Sequence, residues 1–93
     1  MRHLARSVVS IMAALQFAEG SAINPDYAVE MMEMLTLDLS RCTAEEKAAL
    51  EHVSKQEYEA HRASGAHREV LEFYRTFVQV FVEGEPPIED FHP

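Results

Sequence analysis

The sequence predicts an all-α fold: a small four-helix, bundle-like domain over residues 1–84 with short connections, followed by an extended acidic, proline-containing tail over 85–93. Three observations predict it. Apolar residues recur at steps of three and four along four successive segments, which is the period of a helix with one inward face. Each segment is opened or closed by residues that start or stop helices: Asn24-Pro25, Thr43 with Glu46, Gly65 and Gly84. Hydrophobic residues make up 47% of the 93, which is ordinary for a chain that folds around a core.

In the first segment Leu4, Val8, Ile11 and Leu15 follow a four-three-four spacing and form the expected inner stripe, which Met12 widens. Arg2, Arg6 and Ser10 fall opposite, and Phe17 falls on the Arg6 side, away from that stripe. Gly20 is the expected stop. The second segment starts where Asn24 can cap free N–H groups and Pro25 suits the first helical position, with Asp26 favoured by the helix dipole. Its inner stripe is Ala28, Met32, Leu35 and Leu39, flanked by Tyr27, Met31 and Met34. Leu37 lies among the outer residues Glu30, Glu33 and Ser40, the wrong side for the core.

Thr43-Ala-Glu-Glu46 is a capping box, in which hydroxyl and carboxylate each satisfy an exposed N–H. The third helix that follows is poor in large apolar residues, with Leu50 and Val53 as its principal core contributors, and Ser64-Gly65 ends it. The last segment is the most hydrophobic. Val70, Tyr74, Phe77 and Phe81 form its stripe, with Phe73, Val78 and Val80 alongside. The run from Phe77 to Val82 has strand-like composition, but helical spacing continues through it and no second strand is available for pairing. Gly84 closes the segment, and Pro86-Pro87 prevents its continuation into the tail, where Ile88 and Phe91 are the candidate anchors.

Composition excludes several functions. Sixteen acidic residues against eight Lys and Arg give a net charge of -8, so a phosphate backbone repels the chain, and the third helix is itself net negative. Nucleic acid is therefore not an expected partner. No apolar run approaches the ~18 residues of a membrane span. Arg2 and Arg6 ahead of the apolar stretch 7–18, with Gly20 and Ala22 beyond, have the outline of a signal peptide over residues 1–22. Ser10 and Gln16 interrupt that stretch, and its helical periodicity assigns it to the domain. The single cysteine, Cys42, allows neither an internal disulfide nor a multi-cysteine zinc site, and fits a reducing, cytoplasmic setting.

Candidate chemistry is sparse. Glu57 and His61 share the inward side of the third helix at i, i+4, and His67 lies just past the turn. A carboxylate that orients an imidazole is the minimum unit of general-base catalysis or of metal ligation. Converging ligands beyond this pair are lacking, so no metal and no cofactor is expected. The Glu-x-x-His of di-iron bundles occurs only as Glu89 to His92, in the tail. Phosphate-cradling glycine loops and nucleophile elbows are missing as well. The sequence thus points to a non-enzymatic protein acting through protein–protein contact, as an adaptor, a regulator or a neutralising partner of a basic protein, and self-associating as a homodimer. Phe17, Met34, Leu37, Ile88 and Phe91 are the expected interaction residues. The alternative is a small enzyme or ligand-binding domain built on Glu57, His61 and His67.

Overall fold

The computed structural model describes residues 2–17 and 24–84. The chain is all-α. Its elements are α1 (Arg2–Phe17), α2 (Pro25–Leu39), α3 (Ala44–Ala63), α4 (Arg68–Arg75) and a π-helical turn, Val78–Val82. The expected stop at Gly20 and the tail with Ile88 and Phe91 lie outside the described residues.

Local chemistry sets the boundaries. Asn24 Oδ1 accepts from the N–H groups of Asp26 at 2.8 Å and Tyr27 at 3.3 Å, so α2 begins with its first donors satisfied. Thr43 and Glu46 form the reciprocal capping box of α3, at 3.1 and 2.8 Å. At the other end of α3, Gly65 takes a φ of 80°, which a side chain would resist. The N–H of Gly65 then reaches the Arg62 carbonyl, and that of Ala66 the His61 carbonyl, which is the Schellman arrangement.

The helix α3 packs against α1, α4 and the π-helical turn, while α2 touches α1 and the same turn. The fourth segment runs antiparallel to α3, since Tyr74 meets His61 and Glu83 pairs with Lys47. One core unites these elements: Ala5, Val9 and Met12 from α1, Leu50 and Val53 from α3, then Phe73, Tyr74, Phe77, Val78 and Val82. The rings of Phe73, Phe77 and Phe81 lie within 5.3–5.6 Å of one another.

Two expectations need correction. Half of the stripe Leu4–Val8–Ile11–Leu15 turns away from the core: Leu4 and Ile11 are 69% and 55% exposed. Val8, half-buried, packs against the core as expected, and Leu15 is half-buried. Ala5 and Val9 take the inner positions instead, together with Met12, which the spacing places beside the stripe. The physical reason is that α1 carries two adjoining apolar stripes, and contacts on its far flank select between them. In the observed rotation Arg6 reaches Glu57 and Gln56 on α3, each at 2.7 Å. Phe17, on the same flank, sets its ring edge-on to Phe73 at 5.5 Å. Turning the Leu4 stripe inward would carry both residues away from those partners. The second correction concerns the last segment, which is not one continuous α-helix. After Arg75 the Thr76 hydroxyl binds the Glu72 carbonyl at 2.8 Å, and the Glu83 N–H closes on Val78 across five residues. This wider turn buries both Val78 and Val82 beside Phe77.

Candidate functional site

Two surfaces compete for the role of site: a polar cluster between α1, α3 and α4, and an apolar face on α1 and α2.

The polar cluster is built on α3. Glu57 and His61, one turn apart, both lie half-buried beside α4. His61 Nδ1 lies 2.8 Å from the main-chain carbonyl oxygen of Glu57. A carbonyl can only accept, so Nδ1 donates and, in the neutral ring, Nε2 is the basic nitrogen. The Glu57 carboxylate is 3.7 Å from that Nδ1, beyond hydrogen-bonding range, and accepts at 2.7 Å from Arg6 instead. The imidazole ring rests on Tyr74, centroid to centroid 4.7 Å. Burial pushes the Tyr74 phenol above its ordinary range, and the Glu57 charge adds to the effect.

This geometry ties helices together; it does not assemble a proton relay. The main chain orients the imidazole, while a guanidinium from α1 engages the carboxylate. His67 stands apart from the pair as the N-cap of α4, its Nδ1 accepting from the Glu69 N–H at 3.2 Å. The two residues of α3 and His67 therefore do different work. Among the described residues no group of three or more His, Cys, Asp and Glu side chains could hold a metal ion. Sequence spacing identifies Glu57 with His61, but not Arg6 or Tyr74, which join them from distant segments. Beside the cluster a cleft of about 510 Å³ runs between α3 and the fourth segment, lined in part by Ser54, Tyr58, Tyr74 and Val78. Charges of both signs, Lys55, Arg75, Glu51 and Glu59, also line it, so its electrostatics select no one ligand class.

The apolar face begins with α2, in which no residue is fully buried. Ala28, Met32, Leu35 and Leu39 are half-buried on its inner side, as their spacing predicts. On the outer side Tyr27, Val29, Met34 and Leu37 are each more than half exposed. Met34 and Leu37, two of the expected interaction residues, thus stand in solvent, whereas Phe17 is exposed at its rim and engaged with Phe73. Ile88 and Phe91 lie outside the described residues. On α1, Leu4 and Ile11 are likewise more than half exposed, separated by seven residues and so on one side of that helix. Where α1 meets the C-terminal end of α2 and the start of α3 a cleft of about 350 Å³ opens, its apolar walls formed by Leu4, Ala5, Val8, Leu39 and Leu50. Asp38, Arg41, Cys42 and Glu46 complete its lining.

Sequence reasoning missed Leu4, Ile11, Tyr27 and Val29 as surface residues. A signal was present for the first two, because Ala5, Val9 and Met12 also follow helical spacing and offered an alternative inner stripe. No described helix is long and apolar enough to cross a membrane. In comparisons with known proteins, no protein-family model matches the chain, and no curated protein or solved structure matches it significantly.

Proposed function

We propose that the protein works by protein–protein contact, as an adaptor, regulator or neutralising partner, and that the outer face of α2 with the adjoining stripe of α1 is its docking surface. One observation carries the reading: six large apolar side chains, Leu4, Ile11, Tyr27, Val29, Met34 and Leu37, are more than half exposed on two neighbouring helices. Scattered apolar residues are normal on a small domain, but a set concentrated on adjacent helices marks a surface to be covered. The cleft beneath Leu4 and Leu39 supplies a seat for an anchoring side chain. In this reading the protein acts in the cytoplasm, where the half-buried Cys42 stays reduced.

The experiment compares the wild type with the double variant Met34→Ser/Leu37→Ser. Each is immobilised in its native extract, the retained proteins are identified, and binding is reconstituted from purified components by calorimetry. The expected result is one protein bound stoichiometrically by the wild type and at least about tenfold more weakly by the variant, a loss of about 1.4 kcal/mol or more. Circular dichroism and melting of the variant should stay unchanged. A reconstituted complex indifferent to both substitutions would refute the assignment of this face.

A further inference from the structure

We infer that the occupant of the α1–α2 face is a basic amphipathic helix of another protein. The inference rests on the docking role proposed above and adds the chemistry of the partner. Every ionisable carboxyl residue of α2, Asp26, Glu30, Glu33 and Asp38, is exposed, and the helix contains no Lys, Arg or His. These four alternate around the outer side with Tyr27, Val29, Met34 and Leu37. The outer side of α2 is therefore apolar and negative together. Glu46 and Asp38 extend the negative charge along the cleft, with Arg41 as the cation in its lining.

A complementary ligand needs apolar side chains at helical spacing flanked by Lys or Arg. A helix supplies both on one rigid face, and a hydrophobic groove is the usual seat for such a helix. The length of α2, about 22 Å for its fifteen residues, accommodates about four turns of a partner lying along it. The long stems of Lys and Arg can cover Met34 and Leu37 while their charged ends reach the neighbouring carboxylates. A second copy fits less well. A symmetric contact through this face would set Asp26, Glu30, Glu33 and Asp38 of one chain near the same four residues of the other, and like charges across an interface oppose association. Charge thus favours a foreign basic helix over the homodimer that the sequence suggests.

The test uses two synthetic helical peptides with the same leucine face, one flanked by lysines and one by glutamates. Binding to the full chain is read by fluorescence anisotropy at about 50 and about 300 mM salt, a range over which exposed charges become strongly screened. The expected result is saturable one-to-one binding of the lysine peptide, weakened at least about tenfold by salt, with the glutamate peptide bound at least about tenfold more weakly. Glu30→Lys/Glu33→Lys should reverse that preference, and Leu4→Ser/Met34→Ser should weaken whichever peptide binds. Equal binding of both peptides, or a charge-reversed variant that still prefers lysine, would overturn the basic occupant while leaving an apolar docking face in place. Concentration-dependent dimerisation that excludes both peptides and is lost in Leu4→Ser/Met34→Ser would assign the face to a second copy and overturn the inference. If neither peptide binds and the chain stays monomeric, the basic helix is excluded, and the Met34→Ser/Leu37→Ser comparison separately decides the docking role.

Discussion

Substituting two adjacent residues of α1, Met12 and Ile11, tests the rotation of that helix and with it the identity of the exposed stripe. Met12 is fully buried and Ile11 is 55% exposed. Truncating a buried Met to Ala removes its transfer free energy and leaves a cavity, at a cost of about 2–5 kcal/mol. Full burial of an isoleucine is worth about 1.5–3 kcal/mol, and Ile11 realises less than half of its own. Alanine also has the higher helix propensity, which offsets a few tenths of a kcal/mol at either position. Met12→Ala should therefore destabilise by about 2–5 kcal/mol and Ile11→Ala by about 1 kcal/mol or less. Urea unfolding at fixed protein concentration measures both, provided the slope against denaturant is unchanged between variants. The two-residue comparison controls for helix content and position. An Ile11→Ala loss exceeding that of Met12→Ala would mean that the Leu4–Ile11 stripe faces the core, and the docking surface would lose its α1 half.

Three further outcomes follow from local geometry. Thr43→Ala removes one half of the capping box of α3 and should cost about 1 kcal/mol by the same unfolding assay; no loss would mean that the box does not support the helix. His67→Ala should cost about 0.5–1 kcal/mol and His67→Asp should not, because aspartate is a better N-cap; equal losses would point to a role for the imidazole beyond capping. The Tyr74 phenol titrates above its unfolded value near 10, so its stabilising contribution is complete below that pH and is lost as pH rises toward the folded value. Alkaline unfolding monitored by phenolate absorbance should shift upward in Tyr74→Phe; an unchanged transition would place the alkaline instability elsewhere.

Features set by neighbours in sequence were legible from it, and features set by distant partners were not. Asn24-Pro25, the Thr43–Glu46 box and Gly65 act within a few residues, so their spelling alone predicted where α2 starts and where α3 starts and stops. The inner sides of α2 and α3 were legible too, because each has one dominant apolar stripe. In α1 two stripes adjoin, and the choice depends on Arg6 meeting Glu57 and on Phe17 meeting Phe73, partners that lie far along the chain. The π-helical turn has no compositional mark that distinguishes it from α-helix, since the same valines and phenylalanines satisfy both spacings until Val78 pairs with Glu83. Histidine is an uncommon cap, which hid the role of His67. Of the candidate surface, Met34 and Leu37 were apparent as apolar residues away from the inner stripe. Leu4 and Ile11 required knowledge of which way α1 turns.

Methyl cross-saturation NMR on the isotopically labelled chain bound to its partner, or to the lysine-flanked peptide, tests the assigned docking face most directly. Saturation of the bound ligand should attenuate the methyl signals of Leu4, Ile11, Val29, Met34 and Leu37, and leave Val53, Val78 and Val82 in the core unaffected. Attenuation confined to residues around the α3–α4 cleft, with Met34 and Leu37 unchanged, would contradict it.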